Sequence, residues 1–230
     1  MTKGQNLFRR FITATKIDNT DEYLRQREDM INKLVYKEGL NNLLDELELN
    51  YEQLKEEFYK VSSEEDFVEY PLIHLYKFGW DVVGLKYEGI NVSIHHKKYP
   101  VLSTIVRKYD SIIRLAGYSR LKSKAVIGLH RDYQHEVTLH LAITIPKGDC
   151  VFRMADVSTK WEEGKTHFFY SHDPHDAWNL TDEDRIILIM DVKSRNRFQK
   201  FIHRLTNNRL TEYLFHKIYL MFYYKKHKKK

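Results

Sequence analysis

The feature that most limits how this chain can fold is a series of short apolar segments between residues 125 and 192. Turn-forming sequences separate them: Pro-Lys-Gly, Glu-Glu-Gly and Asp-Glu-Asp. Many short strands without long helices between them are typical of an antiparallel sandwich or jelly roll and argue against a βαβ fold. The five predicted strands are AVIGLH, VTLHLAITI, CVFRMADV, KTHFFY and RIILIMDV.

The segment VTLHLAITI has two clearly different faces. Side chains alternate between the faces of a strand, so its leucines and isoleucines form one apolar row. The other row is small and polar, which suits the lining of a barrel that admits a ligand. This second row consists of Thr138, His140, Ala142 and Thr144.

Three candidate metal ligands lie in the same part of the chain. His130 and Asp132 are two residues apart, a spacing that points both side chains to one face of a strand, and His175 follows later. Two histidines and one carboxylate form the facial triad that leaves open positions on Fe(II). Zinc accepts the same ligands, so these residue types alone do not choose the metal.

A set of motifs in residues 99–192 resembles the aspartyl/asparaginyl β-hydroxylase family of iron- and 2-oxoglutarate-dependent oxygenases. The motifs follow one another in family order: YP, GYSRL, GLHRD, LHLAITIP, WEEGK, HDAWN and RIILIMDV. An isolated HxD pair would be weak evidence, but the ordered set is specific.

The resemblance implies a double-stranded β-helix (jelly roll) with a metal near one open end. It also implies Fe(II), 2-oxoglutarate as cosubstrate and O2, with ascorbate as a candidate stimulant. His130, Asp132 and His175 are then the catalytic metal ligands. Many animal members have glycine at the position of Asp132, so this chain is similar to the branch that keeps all three ligands, which includes lipid A and free amino-acid hydroxylases.

Three further residues are predicted to bind the cosubstrate. Arg185 lies ten residues after His175, and its guanidinium can hold the distal carboxylate through paired charge-assisted hydrogen bonds. Ser119 matches a family serine, and His140 matches the histidine of the family motif LRxHL. The arginine of that motif is replaced here by Thr138.

The distal histidine has an alternative, because SHDPHDAWN contains both His172 and His175. The family context around the tryptophan and the ten-residue step to Arg185 both select His175.

The predicted class is α+β with a mostly β core. We expect an N-terminal helical region over residues 1–69, the oxygenase core over 70–195, and a C-terminal helical extension with a basic tail over 196–230. Apolar residues between Val101 and Ala116 have helical spacing, which predicts a helix that ends at Gly117. His95 and His96 are expected on the surface.

Composition bounds the remaining choices. Hydrophobic residues make up 42% of the 230 residues, which excludes wholesale disorder. The single cysteine, Cys150, fits a reducing compartment, and the start of the sequence lacks the apolar core of a secretory signal. These observations predict a soluble cytoplasmic protein.

Two functions from different classes follow. The favoured one is a 2-oxoglutarate-dependent hydroxylase that oxidises a C–H bond of a small-molecule or peptidyl substrate and releases succinate and CO2. A peptidyl aspartate or asparagine, a free amino acid and a lipid acyl chain stay open as substrates. The alternative is a non-catalytic jelly-roll binding protein that uses its basic tail on nucleic acid or an anionic membrane. A homodimer is also left open.

Overall fold

The computed structural model describes residues 31, 35, 37–70, 75–87, 89–132, 137–154 and 157–193. Residues 1–30 of the predicted N-terminal helical region lie outside these ranges, and the predicted extension over residues 196–230 lies wholly outside them. Among the helices within the described ranges, none is long and apolar enough to cross a membrane.

Two antiparallel sheets form the body of the protein. The larger sheet has seven strands in the order β1-β2-β4-β11-β6-β9, with β3 paired to β2; the smaller has the order β5-β10-β7-β8. The predicted jelly roll is therefore confirmed. The strands are β1 Val68–Glu69, β2 Trp80–Tyr87, β3 Ile90–Asn91, β4 Ile113–Leu121, β5 Ala125–His130, β6 Val137–Thr144, β7 Cys150–Met154, β8 Val157–Thr159, β9 Thr166–Tyr170, β10 His175–Asn179 and β11 Arg185–Val192.

Two helices, α1 (Lys37–Leu49) and α2 (Tyr51–Val61), pack on the outer face of the large sheet. Leucines recur at helical spacing along α1 and are fully buried, as a core-facing stripe requires. These leucines are Leu40, Leu43, Leu44 and Leu47. They belong to the same apolar cluster as the strands, so the helices share the core of the sheets.

Two shorter helices, α3 (Ser93–Lys98) and α4 (Pro100–Lys108), connect β3 to β4. The buried carboxylate of Glu57 accepts hydrogen bonds from the backbone N–H groups of Val101 and Leu102, at 2.5 and 3.1 Å. These amides lie at the start of α4, where helical N–H groups have no partner within the helix. Glu57 therefore joins α2 to α4.

The helix expected between Val101 and Ala116 is only half right. Helix α4 ends at Lys108, and residues from Ile113 onward form strand β4. Every residue of β4 is buried, because the strand lies in the middle of the sheet and is covered on both sides. A strand buried on both faces loses the alternating pattern, so its apolar residues also match helical spacing.

The expectation for His95 and His96 is also wrong, because both are buried in α3. The Nδ1 atom of His95 lies 2.7 Å from the carbonyl oxygen of Gly84, and Nδ1 of His96 lies 3.0 Å from Oγ of Ser103.

Candidate active site

A pocket of about 60 Å³ lies between the two sheets. Both sheets contribute to its wall, so the residues that meet there come from distant parts of the chain. The lining residues are Tyr70, Trp80, Ser119, Ile127, His130, Asp132, Thr138, His140, Phe152, Phe169, His175, Asp176, Ala177, Arg185, Ile187, Ile189 and Asp191. All six residues that the sequence predicted for the site are among them.

His130 and His175 lie side by side on the small sheet. His130 ends β5, His175 begins β10, and the two are direct partners in the antiparallel pairing. Their ring centroids are 4.1 Å apart. The pairing of β5 with β10 therefore brings together two imidazoles that are 45 positions apart in the sequence.

The hydrogen bonds of these two histidines favour metal binding. Nδ1 of His130 lies 2.8 Å from the carbonyl oxygen of Gly128, and Nδ1 of His175 lies 2.8 Å from that of Asp173. A carbonyl only accepts, so each Nδ1 carries the proton and each neutral ring has its lone pair on Nε2. Burial also lowers the pKa of His175 to about 4, which keeps it neutral. Metal-binding histidines show this same arrangement.

Asp132 lines the same pocket, and its backbone N–H donates to the carbonyl of Ser171 at 2.9 Å. Burial, with the nearby negative charge of Asp191, raises the pKa of Asp132 to about 6. In the described part of the chain, no three side chains of His, Cys, Asp or Glu are grouped closely enough to hold one ion. The structure thus brings the two histidines together with Asp132 in the same pocket, and the three-ligand site stays a prediction.

His172 lies apart from the histidine pair. Its Nδ1 is 2.8 Å from the backbone carbonyl of Asp132, and its side chain does not line the pocket. This position favours His175 as the partner of His130.

Arg185 is a buried cation at the start of β11, with only 2% of its surface exposed. Its Nη2 lies 3.4 Å from Oγ of Ser119, and its guanidinium carbon lies 4.8 Å from the ring centre of Trp161. Its Nε has no hydrogen-bond partner, and no carboxylate of the described residues forms an ion pair with it. Burial lowers the pKa of Arg185 to about 10.

An unpaired buried charge is unfavourable, which makes Arg185 a ready site for an anion. Ser119 helps to define this site, because its Oγ also accepts a hydrogen bond from Nε1 of Trp80 at 3.1 Å. The distances place Ser119 between the arginine and the aromatic wall of the pocket.

His140 and Thr138 line the pocket, as the polar row of their strand predicted. The hydroxyl of Thr138 donates to Asp191 at 2.6 Å, and Nη2 of Arg114 donates to the same carboxylate at 3.0 Å. The pairing of β4 with β11 shifts register between Leu115 and Ile113, which is where Arg114 lies. The residue that replaces the family arginine therefore holds Asp191 in the pocket wall.

Four residues of the site and its surroundings were not predicted from the sequence: Arg114, Asp191, Trp161 and His167. Two of them lie within motifs that carry the family resemblance, Trp161 in WEEGK and Asp191 in RIILIMDV, and could have been found from those motifs. His167 gave none, since only the pairing of β6 with β9 places it opposite His140.

Fold and site together define a double-stranded β-helix with a paired-histidine centre and a buried arginine. Residues 48–195 match the family model Aspartyl/Asparaginyl beta-hydroxylase, and the chain belongs to that family.

Curated relatives cover only parts of this chain. The aspartyl/asparaginyl beta-hydroxylase of Mus musculus is 39% identical over 54 residues, which is 24% of this chain and 7% of that protein. The ornithine lipid ester-linked acyl 2-hydroxylase of Rhizobium tropici is 33% identical over 126 residues, or 52% of this chain and 44% of that protein. The chain therefore spans less than half the length of these relatives.

Solved structures also show similarity. A 2OG-Fe(II) oxygenase family oxidoreductase from Burkholderia pseudomallei has a TM-score of 0.47 at 12% identity, covering 62% of this chain and 77% of that one. A prolyl-4-hydroxylase from Pseudomonas putida has a TM-score of 0.41 at 12% identity, covering 66% and 87%.

Proposed function

We propose that this protein is an Fe(II)- and 2-oxoglutarate-dependent hydroxylase. In the proposed reaction, 2-oxoglutarate, O2 and a substrate C–H bond yield succinate, CO2 and the corresponding alcohol. The observation that carries the proposal is the buried guanidinium of Arg185, which has no carboxylate partner among the described residues and lies in the same pocket as the histidine pair.

The cosubstrate suits this arrangement because it is a dicarboxylate with a 2-oxo acid at one end. Its distal carboxylate would accept hydrogen bonds from Arg185 and from the hydroxyl of Ser119. Charge-assisted bonds of this kind are strong where water is excluded, and both residues are almost completely buried. The other end of the molecule then faces the histidine pair.

The donors at that end fit iron. His130 and His175 would supply two nitrogen ligands through Nε2, and Asp132 the carboxylate that completes the triad. Bound there, Fe(II) supplies the activation of O2 that couples oxidation of 2-oxoglutarate to hydroxylation.

The chain's own contribution is to orient these groups and keep water away. The carbonyls of Gly128 and Asp173 fix the two imidazole rings. The side chains of Phe152 and Phe169 lie 6.0 and 5.1 Å from the ring of His175 and close the pocket around it.

Three classes of substrate are candidates, and each can be screened. A peptidyl aspartate or asparagine is suggested by the name of the mouse relative, and a lipid acyl chain by that of the Rhizobium tropici relative. A free amino acid is the third candidate.

Succinate release tests the proposal. The protein is incubated with iron, ascorbate and 2-oxoglutarate, with and without each candidate substrate. We expect succinate from the wild type, little from Arg185→Ala, and wild-type amounts from Arg107→Ala, a control at an exposed position of α4. No succinate under any condition would favour the non-catalytic binding protein.

A further inference from the structure

A buried cluster of His140, His167 and Trp161 adjoins the anion site. His140 on β6 and His167 on β9 are direct partners across the sheet, with Nδ1 of His140 3.2 Å from Nε2 of His167. Nε1 of Trp161 lies 3.4 Å from the same Nδ1. All three side chains are less than a tenth exposed.

The chemistry of the indole fixes the direction of these hydrogen bonds. The N–H of Trp161 can only donate, so Nδ1 of His140 must accept and cannot carry a proton. Burial holds the pKa of His140 well below its usual value, so the ring is neutral and its single proton lies on Nε2. The same reasoning makes Nε2 of His167 a second donor to this nitrogen.

The remaining nitrogen of His140 is available to a ligand. Nε2 makes no hydrogen bond to any described residue, while the ring lines the pocket. Trp161 also stacks against the guanidinium of Arg185 at 4.8 Å. One indole therefore contacts both the buried cation and the histidine beside it.

We propose that Trp161 and His167 are positioning residues that lock His140 in the Nε2–H tautomer, so that it donates to a carboxylate of the cosubstrate beside Arg185. This inference rests on the proposed function. In the opposite tautomer His140 would turn a lone pair toward the carboxylate, and the two would repel each other.

The tautomer can be measured without turnover. Nitrogen-15 NMR of histidine-labelled full-length protein, free of paramagnetic iron, reports which ring nitrogen carries the proton. We expect Nε2–H alone at His140 in the wild type, and a mixture with Nδ1–H in the double variant Trp161→Phe/His167→Phe. Phe168→Leu is the matched control, because it alters the same strand on its other face and should leave the tautomer unchanged.

An Nδ1–H ring at His140 in the wild type would overturn the inference. So would a double variant that keeps only the Nε2–H form while its melting curve shows it to be folded.

Cosubstrate affinity gives the second readout. Calorimetry should show 2-oxoglutarate binding weakened about threefold to tenfold in His167→Phe, the effect of losing one hydrogen bond of ordinary strength. His167→Gln keeps an N–H donor and should recover part of the affinity. In turnover, KM for 2-oxoglutarate should rise while kcat changes little.

The two failures are distinguishable. If the wild type does not bind 2-oxoglutarate, the proposed function fails while the tautomer result still stands. If the wild type binds it and both His167 variants bind it equally well, the positioning role alone is wrong.

Discussion

Arg120 and Arg185 lie on neighbouring strands of the large sheet, and both are buried, with 5% and 2% of their surfaces exposed. Arg185 pairs with Leu121, the residue next to Arg120, so the two arginines point to opposite faces. On the helix side, Arg120 donates to Asp81 at 2.7 Å and to Glu64 at 3.0 Å and stacks on Phe67. On the pocket side, Arg185 has a hydroxyl and an indole face.

The difference separates a structural cation from a functional one. The charge of Arg120 is neutralised within the fold, and removing it would leave the buried carboxylate of Asp81 with the partly exposed Lys122, at 3.1 Å, as its remaining ion-pair partner. The charge of Arg185 is desolvated without a carboxylate partner in the described ranges, so an anion from outside can neutralise it. The two faces of one sheet thus show where stability and where binding are expected to depend on an arginine.

The largest effect is expected at the histidine pair on the pocket side. His130→Ala and His175→Ala should each reduce turnover by at least about 100-fold. Removing only the hydrogen-bond partner of a metal ligand typically lowers activity by about 10-fold to 100-fold, and removing the ligand itself should lower it more. His172→Ala is the control and should stay active. Asp132→Gly should leave weak activity, since two ligands remain. Loss of activity in His172→Ala with normal activity in His175→Ala would reverse the assignment.

The helix side is tested by Arg120→Met. Removing one partner of a buried ion pair costs about 3–5 kcal/mol when the other charge is left alone. Lys122 still neutralises part of the charge of Asp81, so the free energy of unfolding should fall by up to that amount in urea titrations. Arg185→Met should leave stability unchanged or slightly higher, because it removes an uncompensated buried charge. Equal destabilisation by both substitutions would erase the distinction between the two faces.

A smaller effect is expected in the pH dependence of stability, which tests the neutral state of His167 on the pocket side. Burial, with the charge of Arg185, lowers the pKa of His167 to about 3. The unfolded chain binds a proton at this histidine below about pH 6.5 while the folded chain does not, so stability falls as the pH drops through that window. His167→Phe should lessen this fall by up to about 1.4 kcal/mol per pH unit, measured by urea unfolding between pH 6.5 and 4.5. An unchanged slope would contradict the assigned neutral state.

The parts of the site that could be predicted are those set by local sequence. The alternation of Thr138 with His140 was enough to place these two side chains in the pocket. Asp132 also lines the pocket, but it lies beyond the end of β5 at His130, so strand spacing does not explain its position. The pairing of His140 with His167 depends on which strands are neighbours, and short-range periodicity does not report it.

The errors in the predicted fold also arose where tertiary contacts, and not the local sequence, decide the structure. Strand β4 is covered on both faces, so its sequence carries no alternation to distinguish it from a helix. His95 and His96 next to lysines looked exposed, yet the packing of α3 against β2 buries them. Tertiary contacts overrode the local pattern in both places.

The central claim is that Arg185 binds the distal carboxylate of 2-oxoglutarate. Calorimetry under anaerobic conditions would compare this ligand with 2-oxopentanoate, which has the same chain length and lacks that carboxylate, in the wild type and in Arg185→Met. The wild type should bind 2-oxoglutarate more tightly by about 1.5–3 kcal/mol, and the variant should lose most of this preference, keeping only what the uncharged donors Ser119 and His140 contribute. A variant that still prefers 2-oxoglutarate by the wild-type margin would show that another group binds the distal carboxylate.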